Sequence, residues 1–333
     1  MRKTVSFSKD AANVFFHILT HCNLDCRHCY INPEQHGKNT LPVSTIETWL
    51  GIFGERHKAS NVIFLGGEPT LHPDLSHAIK KARKLGCRSV TVGTNGYLFN
   101  DILSKVKPDE VDYFSFSLDG ATPETNDAIR GKGCFDTCIA GIRKAVSRGF
   151  ATSLIYTVSN HNIHELDGMV SLLQGLGIHR FFIQVIGIRG KSASTEPEML
   201  QIHRSDWLHK IPEVADKVAE SGITVTYPKV FLTHEESFEC AGLVANNYFI
   251  FPNGRVYRCP LCEDFPLHSM MMKDDQLVKT DKINENDLFE LNITEGCVMN
   301  KLIQPGNLSY CRDGTPEYKV ACCMLKEEVR SKP

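Results

Sequence analysis

The chain has 333 residues, 42% of them hydrophobic and 23% charged, which is typical of a globular protein and unlike collagen, a disordered chain or a membrane-spanning one. The 37 basic and 39 acidic residues leave a formal net charge of −2, so nothing indicates a nucleic-acid or membrane-surface partner. We find no export signal and therefore expect a cytoplasmic protein whose 13 cysteines mostly hold metal rather than form disulfides.

Short β-branched or aromatic runs alternate with amphipathic helical segments along the first 226 residues. This alternation is typical of β/α units and predicts a parallel sheet. Ser44 and Glu47 have the spacing of a capping box at the start of the first helix. The predicted strands are 14–19, 61–65, 89–92, 111–118, 151–158, 180–186 and a short 223–226; after the helix that follows Ser44, the predicted helices are 74–85, 98–106, 135–148, 164–176 and 206–220.

The pattern changes near residue 230. Residues 248–251 and 255–257 read as strands, and the Asn253-Gly254 pair between them is a strong hairpin signal. Seven of the 13 cysteines lie in the last hundred residues, where other periodicity is weak. We therefore predict two domains, a core over 1–230 and a small cysteine-rich module over 231–333.

Polar and glycine-rich motifs follow consecutive strands of the core. The motifs are the loop that contains Cys22, then Gly66-Gly67-Glu68-Pro69, Thr94-Asn95-Gly96 and Ser117-Leu118-Asp119-Gly120. A doubly wound sheet would concentrate function at one switch point, whereas a barrel gathers the loops after all strands around one mouth. We therefore expect an α/β fold, a partial (β/α)6 TIM-type barrel with a small cysteine-rich C-terminal module.

Three cysteines share the first of these loops, spaced Cys22-x3-Cys26-x2-Cys29. Three thiolates can occupy three positions of an iron-sulfur cubane or of a zinc ion, and either site would keep one position open. Zinc usually takes paired Cys-x2-Cys units, so an asymmetric loop without a nearby fourth ligand favours a cluster with one exchangeable iron. Zinc remains the alternative on spacing alone.

The cysteine loop after the first strand, followed by Gly-Gly-Glu-Pro after the second, resembles the radical S-adenosylmethionine (radical SAM) superfamily. The resemblance covers residues 13 to 230 and implies that Cys22, Cys26 and Cys29 bind a four-iron four-sulfur cluster whose open iron takes the amine and carboxylate of SAM. It implies that Glu68 meets the SAM ammonium, while Gly66 and Gly67 allow close approach of the ligand. The remaining residues that the resemblance places around SAM are Asn95, Ser117, Asp119 and Arg130.

The C-terminal module has its own cysteine pattern. Cys240, Gly254 and Cys259 are spaced like the opening of the SPASM or twitch extensions of radical SAM enzymes. The resemblance implies an auxiliary four-iron four-sulfur cluster bound by Cys240, Cys259 and Cys262. Seven cysteines cannot supply eight ligands, so we expect one auxiliary cluster; two would need a non-cysteine ligand or an open iron, and zinc is the structural alternative. The fourth ligand is to be sought among Cys297, Cys311, Cys322 and Cys323.

The resemblance implies a reaction but not a substrate. A reduced cluster would cleave SAM to a 5′-deoxyadenosyl radical that takes hydrogen from a small metabolite or a peptide, with flavodoxin or ferredoxin as electron donor. Glu263 and Asp264 are candidates for a base near the substrate. The chain lacks the Gly-Gly tail of the molybdopterin-precursor cyclase, so we do not expect the protein to be that enzyme. The alternative from another class is a non-catalytic iron-sulfur electron-transfer or scaffold protein.

Overall fold

The computed structural model describes residues 1–7, 11–56, 59–194 and 200–331. The strands within these ranges are β1 Arg2–Val5, β2 Ala12–His17, β3 Ser60–Leu65, β4 Ser89–Thr94, β5 Tyr113–Ser117, β6 Thr152–Val158, β7 Arg180–Val185, β8 Thr224–Pro228, β9 Phe231–Leu232, β10 Asn246–Ile250, β11 Arg255–Tyr257, β12 Met270–Lys273, β13 Gln276–Lys279, β14 Lys319–Val320 and β15 Lys326–Val329.

Helices connect most of these strands. The α-helices are α1 Pro33–His36, α2 Val43–Arg56, α3 Leu75–Lys84, α4 Ile102–Lys105, α5 Pro123–Arg130, α6 Cys134–Ser147, α7 Gly168–Leu176, α8 Lys191–Ser194, α9 Arg204–Glu220, α10 Ala241–Val244, α11 Glu285–Phe289 and α12 Val298–Ile303. Helix α2 begins before Ser44, so Ser44 and Glu47 lie inside it and the capping box predicted there was wrong.

The strands of the core lie side by side in chain order. From β2 to β8 every neighbour is parallel and is also the next strand in sequence. A doubly wound sheet reverses its strand order at a switch point, whereas a barrel does not. The predicted partial barrel is therefore confirmed, with β8 as one further parallel strand beyond the six β/α units.

Alternate residues of each core strand face two different environments. Val14 and Phe16 of β2 are fully buried on the helix side, where Phe16 stacks on Trp49 of α2 with ring centroids 6.1 Å apart. Phe15 and His17 of the same strand point the other way and line an internal cavity. Side chains alternate with a period of two in a strand, so this pattern gives the barrel a packed outer layer and an inner surface for a site.

The region after residue 230 continues the sheet at both edges. Strand β10 pairs in parallel with β2, and β15 pairs antiparallel with β8 and β1. Phe15 stacks on Phe249 across the β2–β10 pair with centroids 4.4 Å apart, a contact of a kind that contributes roughly 0.5–1.5 kcal/mol. Three strand pairs of the sheet thus cross the predicted boundary, and the cysteine-rich module packs against the barrel mouth.

Candidate functional site

A cavity of about 690 Å³ lies inside the barrel, at the end where the core strands finish. Its walls come from the loops after β2, β3, β4 and β7 and from the C-terminal module. The residues predicted from sequence that line it are Cys22, Cys26, Cys29, Gly66, Gly67, Glu68, Asn95, Ser117, Arg130 and Glu263, and also Cys323.

The two glycines after β3 are in contact with the cysteine loop. Gly67 donates to the Leu19 carbonyl at 3.1 Å, and the backbone N–H of Glu68 donates to the His21 carbonyl at 3.0 Å. A Cβ on Gly67 would lie 2.2 Å from the His21 carbonyl oxygen. We expected these glycines to admit a ligand; the backbone that approaches them so closely is that of the cysteine loop itself.

Two further contacts support the cysteine loop. The backbone N–H of Arg27 donates to the Ile129 carbonyl at the end of α5 (2.9 Å), and that of Lys191 donates to the Cys29 carbonyl at the same distance. Gly190 packs so tightly on this segment that an added Cβ would lie 2.5 Å from the Cys29 carbonyl oxygen. Three separate parts of the barrel, the loop after β3, the end of α5 and the segment after β7, therefore fix the backbone that carries the three cysteines.

The three thiols of this loop are half-buried and take part in no disulfide. Burial raises the pKa of Cys22 and Cys29, and raises the pKa of Cys26 to about 12. Bound metal reverses such a shift because it stabilises the thiolate. Over the described residues, no three His, Cys, Asp or Glu side chains converge on a single metal ion. A cubane binds each cysteine through a separate iron, so three spaced thiols around one cavity fit a cluster.

Glu68 is fully buried beside the cysteine loop. Its Oε1 accepts hydrogen bonds from the Thr70 backbone (3.1 Å) and from the hydroxyls of Thr70 (2.5 Å) and Thr94 (2.9 Å). Its Oε2 accepts one from the Asn95 backbone at 2.7 Å. Burial raises the pKa of the Glu68 carboxyl, and these donors oppose that rise. Because Oε2 has a single donor, it can still accept from a cationic ligand in the cavity.

Asn95 links the loop after β4 to the cysteine loop. Its side-chain amide donates to the Asn23 side-chain oxygen at 2.8 Å and lies 3.9 Å from the Cys22 sulfur. Ser117 lies at the end of β5 and also contributes to the cavity wall. Both residues therefore line the same cavity as the cysteine loop, and their role in SAM binding stays a prediction.

Asp119 is fully buried behind the cavity wall. Its Oδ2 lies 2.6 Å from Arg130 Nε and 3.0 Å from His28 Nε2, and its Oδ1 accepts from the Thr157 backbone at 2.7 Å. Burial opposes ionisation of this carboxyl, but the charges of Arg130 and His28 outweigh it and lower its pKa. Asp119 thus holds Arg130 at the cavity wall and His28 within the cysteine loop, while Arg130 itself faces the cavity.

The two acidic residues after Cys262 have different surroundings. Glu263 is buried in the cavity wall and pairs with Arg189 at 2.5 Å; burial raises the pKa of its carboxyl to about 7, against the effect of the arginine. Asp264 accepts from the Asn32 side chain at 2.8 Å and from the Gly190 backbone at 3.2 Å. Asp264 therefore joins the loops after β2 and β7 to the C-terminal module.

A second, smaller pocket gathers cysteines of the C-terminal module. Its lining includes Cys240, Cys259, Cys297, Cys322 and Cys323. The Cys262 thiol is hydrogen-bonded to Cys259, next to this pocket, whereas Cys311 is exposed and does not line it. The fold therefore brings together six of the seven cysteines that the sequence left as candidates.

Sequence reasoning missed several residues at these two sites. Arg189 lies over the Tyr30 ring at 4.6 Å, and the Tyr30 hydroxyl is 2.7 Å from His17 Nε2, all at the main cavity. At the smaller pocket, the buried carboxylate of Glu285 accepts from the backbones of Arg258 (2.6 Å) and Cys259 (3.0 Å). No local sequence signal marks these residues, because their partners are distant in the chain.

Comparison with known proteins bears on the same region. Residues 17–173 match the family model described as the Radical SAM superfamily. Fe-coproporphyrin III synthase of Methanosarcina barkeri is 31% identical over 208 residues, which are 60% of this chain and 51% of that protein, so the chain spans about half of this relative. A probable GTP 3′,8-cyclase of Saccharolobus islandicus is 29% identical over 260 residues, 74% of this chain and 82% of the cyclase.

Among solved structures, SuiB of Streptococcus suis bound to its precursor peptide SuiA superposes with a TM-score of 0.71 at 14% identity. The likeness covers 89% of this chain and 74% of SuiB, so the shared fold includes part of the region after residue 230. At this identity the likeness shows the fold alone.

No helix in the described ranges is both long and apolar enough to cross a lipid bilayer. The family match includes β2 to β6, and these strands carry the cysteine loop, Glu68, Asn95 and Ser117 to one cavity. Because these motifs follow successive strands of a partial barrel in the matched region, residues 17–173 form a radical SAM domain, and the superfamily that the family model describes is one of enzymes.

Proposed function

We propose that this protein reductively cleaves SAM and abstracts hydrogen from a small-metabolite or peptide substrate. Membership of the superfamily implies a four-iron four-sulfur cluster and SAM as cofactors. When bound, these cofactors supply a 5′-deoxyadenosyl radical, with the electron coming from a donor such as flavodoxin or ferredoxin. The observation that carries the proposal is the single cavity in which three half-buried thiols face Glu68 and Arg130.

The chain's own residues would bind and orient SAM. Glu68 offers a carboxylate oxygen to the ammonium, and Arg130, held by Asp119, offers a cation to the carboxylate. Asn95 and Ser117 supply further polar groups to the cavity. The part of the wall formed by β7 is apolar at Phe182 and Val185, which would exclude water from the reacting atoms.

The substrate class stays open between small molecule and peptide. The relatives are named for a GTP cyclisation and for an iron coproporphyrin, and SuiB is bound to a precursor peptide. These names do not agree on one substrate. The cavity reaches from the cysteine loop to Cys323 of the C-terminal module, which leaves a substrate space between the two cysteine-rich regions.

The test is anaerobic incubation of the reconstituted protein with SAM and dithionite, with 5′-deoxyadenosine measured by chromatography. We expect product that depends on protein, SAM and reductant. Absence of product from protein that holds its iron would favour the non-catalytic electron-transfer or scaffold alternative and contradict the proposal.

Glu68→Gln is expected to weaken SAM binding about tenfold or more. A charge-assisted hydrogen bond contributes roughly 1.5–3 kcal/mol, and about 1.4 kcal/mol corresponds to a factor of ten. Calorimetric titration of anaerobic, cluster-loaded protein with SAM measures the change. Glu165→Gln is the matched control, because Glu165 also accepts several hydrogen bonds, from Ala121 and Thr122, but does not line the cavity. An unchanged dissociation constant in Glu68→Gln would show that Glu68 only supports the loop.

Gly67→Ala is expected to displace the cysteine loop, since the new Cβ would collide with backbone and not with a flexible side chain. We expect this variant to lose about four irons, those of one cubane, together with its 5′-deoxyadenosine production. Gly175→Ala is the control; Gly175 is exposed on α7 and a Cβ there meets nothing within 4 Å. Full iron content and activity in Gly67→Ala would mean that the loop tolerates the shift.

A further inference from the structure

Lys326 contributes an amino group to the main cavity from the C-terminal strand β15. Three other cationic side chains of the cavity wall have carboxylate partners: Arg130 pairs with Asp119, Arg189 with Glu263 and Lys191 with Asp25. A fourth, Lys38, is exposed to solvent. Lys326 Nζ instead lies 4.5 Å from the centroid of the Phe182 ring, and it forms no ion pair with the described residues. Within the part of the chain that the structure describes, Lys326 is thus a cation of this cavity wall without a carboxylate counter-ion.

The surroundings of this amino group make an unpaired ammonium energetically unfavourable. The Phe182 ring lies against the amino group, the apolar side chains of Val185, Leu261 and Met324 line the same cavity, and the Cys323 thiol interacts electrostatically with Lys326. Burial lowers the pKa of Lys326, and the thiol opposes this only in its ionised form. A bound anion would offset the cost of desolvating the ammonium.

The position of Lys326 separates it from the SAM-binding residues. Strand β15 pairs with β8, at the far end of the parallel strand order from β2 and its cysteine loop. Glu68 and Asn95 follow β3 and β4, and Ser117 is the last residue of β5. A molecule held at Lys326 would therefore extend from the β8 side of the cavity toward the half that holds the SAM-binding residues.

We propose that Lys326 binds a carboxylate group of the substrate, and this rests on the function proposed above. A single ammonium against an aromatic ring suits a monovalent carboxylate, whereas a phosphate dianion would call for more donors. The substrate class is accordingly a carboxylic acid with an apolar body: an organic acid, an amino acid or an acidic or C-terminal peptide residue. Lys326 is a binding and specificity-determining residue and takes no part in the chemical step.

The test compares an acid with its uncharged analogue on the cluster-loaded protein with SAM bound. The probes are 4-phenylbutyrate and 4-phenylbutanamide, whose dissociation constants are measured anaerobically by ligand-observed NMR. We expect the acid to bind at least about tenfold more tightly than the amide to the wild type. Lys326→Met should remove this preference, and Lys326→Arg should retain most of it. Lys273→Met, an exposed lysine on β12, is the matched control and should behave as wild type.

Several results would overturn the proposal. Equal affinity of acid and amide in the wild type, no binding of either probe, or a preference that survives in Lys326→Met each contradicts it. Tighter binding of inorganic phosphate than of the acid would assign the site to another anion. Lys326→Met could instead shift the reduction potential of the iron in the C-terminal module and leave the preference for the acid unchanged. That result would mean that Lys326 acts on Cys323 and does not bind the substrate. Failure of SAM cleavage by the wild type is a separate result, which contradicts the proposed function instead.

Discussion

Replacing Cys22, Cys26 and Cys29 together by alanine is expected to abolish reductive SAM cleavage while iron in the C-terminal module remains. The three thiols line one cavity, and the loop that carries them is held by three separate parts of the barrel. Without thiolates a cluster has no ligands there, and the C-terminal cysteines form a separate pocket. The measurement is 5′-deoxyadenosine after anaerobic incubation with SAM and dithionite, together with iron per chain.

Cys87→Ala is the matched control for the triple variant. Cys87 is buried between α3 and β4 and does not line the cavity, so its loss should leave SAM cleavage unchanged. The triple variant could also form almost no product and lose more than half of the iron that a two-cluster protein holds. That result would mean that misfolding removed both clusters. Wild-type product from the triple variant would overturn the assignment of the SAM-cleaving cluster to this loop.

The reconstituted wild type is expected to hold about eight irons per chain, those of two cubane clusters. We propose that the second cluster lies in the C-terminal pocket, with Cys240 and Cys259 among its ligands and the rest drawn from Cys262, Cys297, Cys322 and Cys323. Six clustered cysteines are too few for two four-cysteine clusters. Cys240→Ala combined with Cys259→Ala should lower the iron content to about four and leave the cluster of the first loop in place.

Cys311→Ala provides the control for the C-terminal pocket. Cys311 is exposed and lies outside the pocket, so this variant should keep its full iron content. Iron is measured by a colorimetric assay and zinc by mass spectrometry on the same samples. Four irons with one tightly bound zinc in the wild type would establish the zinc alternative, and iron loss in Cys311→Ala would return that residue to the ligand set.

Local periodicity in the sequence predicts most of the core strands. The predicted strand 151–158 corresponds to β6 at Thr152–Val158, and 180–186 corresponds to β7 at Arg180–Val185. The first strand was placed two residues late, because the apolar run continues through Ile18 and Leu19 after the sheet pairing of β2 ends. Leu19 is buried beyond the end of the strand, and its carbonyl accepts the hydrogen bond from Gly67.

The motifs predicted where the cavity wall would be, but not which way each side chain points. Glu68 and Asn95 follow strand ends and line the cavity, as their positions indicate. Asp119 also follows a strand end, yet its carboxylate is turned inward to Arg130 and His28. Arg130 is eleven residues further along the chain and His28 ninety-one residues before, so the charges that decide this orientation are not adjacent in sequence.

Strand alternation, turn residues and ligand spacing are local properties, so the sequence alone predicts the order of the β/α units, the cysteine loop after the first strand and the hairpin at Asn253-Gly254. The way in which the last hundred residues join the barrel depends instead on long-range strand pairing. Strand β10 pairs with β2 and β15 with β8 and β1, partners more than ninety residues away. These pairings bring Lys326 and Cys323 to the same cavity as Cys22, and leave Cys311 outside. Contacts of this kind depend on which edges of the sheet stay unpaired, and a local sequence pattern does not predict which edges those are.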